Sequence, residues 1–137
     1  MKDILLVVLV ISVLGACSLN GFKEEPAKIL TLEQVETALT EQGLKLDKAD
    51  LPSDNAFIQE LYGVSPKVYL IDGNTLSIYV FPSVKAREKG LDDFENKNAT
   101  AELVSHKTFT HRNILVFYEQ GNKDTNKAIN SAINELE

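Results

Sequence analysis

Two histidines, one serine beside them and a short run of carboxylates are the side chains of this chain with the types that chemistry needs. His106 and His111 stand five positions apart. On one continuous strand they point to opposite faces, because side chains alternate with period two; flanking a turn, they could converge. A zinc shell asks for three or four ligands, so these two would need carboxylates from elsewhere, such as Glu102 or Glu119. Ser105 is adjacent to His106, but strand neighbours diverge rather than touch. Ser83 follows a strand-like run and precedes a helical one, where a hydrolase nucleophile can sit. The residues around it, Pro82 and Val84 among them, supply none of the glycines such a turn needs, so Ser83 reads as an N-cap. Asp92, Asp93 and Glu95 are the densest acidic group. They lack the alternating oxygen ligands and central glycine of a calcium loop, and read as a solvated helix face. There is no glycine-rich phosphate loop. The residues predict no catalytic site, no cofactor and no metal, with both histidines exposed on a hairpin.

Cys17 is the one cysteine. Lys2 supplies a positive start, weakened by Asp3, and Ile4 to Leu14 form an apolar run of 11 residues. Gly15 and Ala16 are small, as a peptidase pocket requires. A membrane-crossing helix needs about 20 apolar residues, and Ser18, Asn20 and Lys23 interrupt this one early. The string Leu14-Gly15-Ala16-Cys17 resembles the lipobox of bacterial lipoproteins, an aliphatic residue and two small ones before the cysteine that receives a diacylglycerol. The resemblance covers the leader alone. It implies cleavage before Cys17, lipid on its thiol, and residence on the extracytoplasmic face of the cell membrane. It also removes a liability, since a lone thiol in an oxidising compartment has no partner. In a bacterium the Asn98-Ala99-Thr100 glycosylation sequon carries no meaning.

The organisation that follows is a signal peptide at 1–16, a lipidated N-terminus with a short tether at 17–30, and one domain at 31–137. Cleavage leaves no cysteine to staple the fold, so an ordinary core must hold it. The formal net charge of −6 argues against nucleic acid, which wants clustered Lys and Arg, and against adhesion to anionic headgroups. The lipid on Cys17 is then the membrane contact.

Local signals predict the elements. Thr31 with Gln34 makes a capping box, and Leu30 with Val35 a hydrophobic staple. Leu32, Val35, Ala38 and Leu39 form a stripe, and Gly43 with Leu44 supplies a Schellman end, giving a helix over 32–42. Leu44-Lys45-Leu46 alternates, as a short edge strand or an extended connection would. Residues 54–62 read as a second helix burying Phe57, Ile58 and Leu61, closed by Gly63. Lys67–Asp72 and Thr75–Phe81 form a hairpin around Asp72-Gly73-Asn74. Tyr69 and Ile71 share one face with Leu76, Ile78 and Val80; Val68 and Leu70 share the other with Ser77, Tyr79 and Phe81. A third helix spans about 84–96, with Gly90 placed to kink it. Leu103–Phe109 and Ile114–Glu119 form a second hairpin turning near His111-Arg112-Asn113. A last helix, capped by Asp124 or Thr125, carries the stripe Ala128, Ile129, Ala132, Ile133 and Leu136.

The expected fold class is therefore α+β: a small antiparallel sheet of two hairpins, about four strands, with about four helices packed mainly on one face. The strand aromatics Tyr69, Tyr79, Phe81, Phe109, Phe117 and Tyr118 read as core rather than as a ligand platform. The expected function is a membrane-anchored extracytoplasmic lipoprotein that binds an envelope protein or peptide without catalysis. The alternative is a carrier of a small ligand or metal in the cell envelope.

Overall fold

Helix α1 (Leu32–Glu41) begins where Thr31 accepts the Gln34 amide and Gln34 returns the bond to the Thr31 N–H. It ends in a Schellman motif: Gly43 has φ +82°, its N–H donates to Thr40 O, and Leu44 N–H donates to Leu39 O. Val35 and Leu39 are its buried stripe. The computed structural model describes residues 28–137, so Cys17, the leader and most of the tether lie outside the described residues.

The chain continues extended through Leu44 and Leu46, which pack on the core, and pairs only afterwards as strand β1 (Asp47–Lys48). The helix expected at 54–62 is absent. One 3-10 turn, Ala56–Ile58, is capped by Asn55. A tight turn follows, with Leu61 and Val64 exchanging two backbone bonds across Tyr62 (φ +45°) and Gly63 (φ +76°). The apolar spacing still does its packing work, since Phe57 and Leu61 are buried; the positive dihedrals end any helix.

Strands β2 (Lys67–Ile71) and β3 (Asn74–Val80) form the first hairpin. Ile71 pairs Asn74, so the loop is Asp72-Gly73, both at positive φ, as a two-residue hairpin loop of the primed type demands. The facing pattern follows period two as expected. Helix α2 (Val84–Lys97) starts at its Ser83 cap and runs unbroken through Gly90. Strands β4 (His106–His111) and β5 (Ile114–Glu119) make the second hairpin, and helix α3 (Lys123–Asn134) is capped by Asn122, ahead of the expected Asp124 or Thr125. Among the described residues the antiparallel sheet therefore has five strands, ordered β1-β2-β3-β5-β4, not four, and it is accompanied by three α-helices and one 3-10 turn, not four helices.

The helices also divide between the two faces instead of gathering on one. Helices α1 and α3 close over Ile71, Leu76, Ile78, Ile114, Val116 and Tyr118. Helix α2 and the Phe57–Leu61 segment cover Tyr79, Phe81, Leu115 and Phe117. The reason is in the central strands: β3 and β5 carry apolar side chains at both parities, so each face needs a cover. All six expected strand aromatics are in or against these cores, and Tyr69 also donates its hydroxyl to Glu36 of α1. Burial, and then the Glu36 carboxylate, push that hydroxyl up to about 12.

Candidate functional site

The histidines separate as strand parity requires. His106 lies toward α2, its ring 4.7 Å from Phe57 and its Nδ1 3.0 Å from Val104 O. His111 lies on the opposite face, its Nε2 2.9 Å from Leu136 O just past the end of α3. Both are partly buried rather than exposed, because each ring packs on or bonds to its own layer. Among the described residues no three of His, Cys, Asp and Glu converge as a metal group would. Ser83 Oγ accepts the Ala86 N–H as a cap. Of the acidic run, Asp93 accepts from the Tyr62 N–H at 2.8 Å and meets Lys97 at 3.0 Å. The Tyr62 N–H, followed by Lys97, holds the Asp93 carboxyl below its ordinary value.

A cleft of about 460 Å³ opens where β4 begins. One wall is the 3-10 segment, with Asp54, Asn55, Phe57 and Gln59; the other is the α2–β4 connection, with Asn98, Glu102, Leu103 and Val104; Glu119 closes the end. The 3-10 wall is fixed from below. Tyr79 donates its hydroxyl to Gln59 O at 2.6 Å, and burial pushes that hydroxyl up. Lys97 Nζ donates to Glu60 O at 2.7 Å. Glu119 pairs His106 in the ladder and so faces the same side. Gln59 Oε1 and Glu119 Oε2 are withdrawn from solvent and have no hydrogen-bond donor. The sequence flagged Glu102 and Glu119 only as possible metal partners for the histidines; the structure puts both on this cleft. Gln59 carried no sequence signal, because nothing local marks a glutamine whose acceptor will be buried.

The second feature is an open sheet edge. Gln120 N–H donates to Ser105 O at 2.8 Å. Ladder alternation then turns Lys107, Phe109 and His111 toward β5 and leaves the backbone groups of His106, Thr108 and Thr110 facing outward. Among the described residues no strand pairs that side of β4. The other edge is shortened: β1 is two residues long, and Pro66 precedes β2.

No family model, curated protein or solved structure matches this chain. A second concavity, about 400 Å³ between α1 and α3, is rimmed by Glu33, Glu41 and Glu135 and holds no unpartnered buried polar atom among the described residues.

Proposed function

We propose that this chain is a lipoprotein held by Cys17 on the extracytoplasmic face of a bacterial cell membrane, and that it binds an extended segment of an envelope protein or peptide along β4 without catalysis. The open β4 edge carries the reading. Three of its six residues, His106, Thr108 and Thr110, offer outward N–H and C=O groups, and adding a strand satisfies such groups while neighbouring side chains supply selectivity. Natural sheets blunt their edges with bulges, prolines and charge; here Lys107 is the one Lys, Arg, Asp or Glu of β4. Non-catalytic action is supported by the placement of the candidate groups, since Ser83 is engaged as a cap and the histidines lie on opposite faces.

Display of random ten-residue peptides against the full-length chain in detergent tests the edge. Peptides selected on the wild type should lose about tenfold or more in affinity for Thr108→Pro. Proline removes an outward donor there without touching the bonds to β5. Equal affinity for a folded Thr108→Pro variant sinks this reading.

A further inference from the structure

We infer that, when no other segment holds it, the open edge of β4 pairs antiparallel with β4 of a second copy of this chain, about a two-fold axis through Thr108. This rests on the edge reading above and names the resting partner of that edge. The two edges of the sheet differ. The β1 edge is two residues long, and Pro66 precedes its neighbour β2. Strand β4 runs six residues without proline or glycine, and Thr108 and Thr110 are exposed on it. Among the described residues no strand pairs its outer side. An edge of that kind is a template for another edge.

Register and charge favour a second copy. The outward groups belong to His106, Thr108 and Thr110, and an antiparallel pair bonds only where outward residues stand opposite each other. With Thr108 opposite its own counterpart, His106 of each copy stands opposite Thr110 of the other. All three outward residues of both copies then exchange bonds, as an isologous contact allows. Lys107 stands opposite Phe109, so the one Lys, Arg, Asp or Glu of the strand does not meet its like. A slip of two residues one way leaves Thr110 unpaired and sets Lys107 against Lys107, and like charges directly opposite are destabilising. The slip the other way leaves His106 unpaired. The same axis suits a shared membrane. A two-fold between antiparallel strands stands perpendicular to the sheet, so the α1 and α3 layers of both copies lie on one side. Leu30 belongs to that layer. The N-terminal ends of both domains therefore sit on one side, as two copies on one bilayer require.

Single cysteines in the full-length chain read the register, oxidised with copper phenanthroline in membranes of cells that express it and scored as covalent dimer on non-reducing gels. In the pairing inferred, the two Thr108 Cα atoms stand roughly 5.5 Å apart, within the reach of a disulfide. The two Thr110 Cα atoms are four residues out of register, roughly 14 Å apart, and outside it. Both sites are exposed, so neither substitution disturbs the core. Thr108→Cys should give about tenfold more dimer than Thr110→Cys, each measured above the wild-type chain, which carries Cys17 alone. Equal yields from the two variants, or no dimer above the wild type from Thr108→Cys, overturn the inference. Peptides that bind the wild type and not Thr108→Pro, in a chain without the Thr108→Cys link, remove the pairing of copies alone. The link in a chain that selects no such peptide removes the peptide reading alone.

Discussion

Asn113 does more for this fold than its place in a hairpin turn suggests. It is fully buried, accepts the Leu30 N–H at 2.8 Å, and donates from Nδ2 to Leu30 O and Phe81 O, both at 2.9 Å. One amide therefore satisfies three backbone groups from two distant segments. Asn113→Ala orphans all three, and each buried unpaired group costs about 1–3 kcal/mol. A loss of roughly 3 kcal/mol or more is expected by chemical denaturation, and an unchanged midpoint would show that the Leu30 contact is dispensable. Asp93 gives a prediction in pH. Its carboxyl is held low by the Tyr62 N–H and Lys97, so its contribution is present above the unfolded value of about 3.9 and disappears as pH falls through the folded value. The stability gap between wild type and Asp93→Asn should exist at pH 7, stay under about 1 kcal/mol because the pair is exposed to solvent, and close in acid. A gap that persists at pH 2 would mean that Asp93 acts through something other than its charge.

At the scale of elements, Gly90 shows how a local rule misleads. Helix propensity alone credits Gly90→Ala with about 1 kcal/mol. In the structure a β-carbon at Gly90 would lie 2.2 Å from Phe81 Cζ, and that ring is stacked against Tyr79 at 6.0 Å. Overpacking of this kind costs about 1–3 kcal/mol, so Gly90→Ala should lower the melting temperature. In a Phe81→Leu background, where the space exists, the same change should raise it; the same sign in both backgrounds refutes the packing account. What the sequence makes legible here is what it encodes within a few residues. The capping box, the Schellman end of α1 and the two faces of the first hairpin all rest on neighbours three to five apart, or on period two. What it hides is long-range. Residues 54–62 have helical apolar spacing, but the pairing of Leu61 with Val64 and the bonds from α2 to Glu60 and Tyr62 select a turn. The same holds for the cleft, whose Gln59 and Glu119 are ordinary polar residues until the sheet brings them together.

At the scale of the whole molecule, the leader and the domain make separate claims. Cys17→Ala should move the protein from the membrane fraction to the soluble fraction or leave it unprocessed, with the domain's melting temperature unchanged; labelled fatty acid still entering the variant would place the lipid elsewhere. Among the described residues no helix is long and apolar enough to cross a membrane. The Leu30–Asn113 bonds also carry a consequence in time. They join positions 83 apart, and closing so long a loop is entropically slow to be rewarded. A chain that emerges from its N-terminus cannot settle Leu30 until Asn113 of the second hairpin is in place. Under the proposed lipid anchor, the segment nearest the membrane is therefore fixed only after the second hairpin exists.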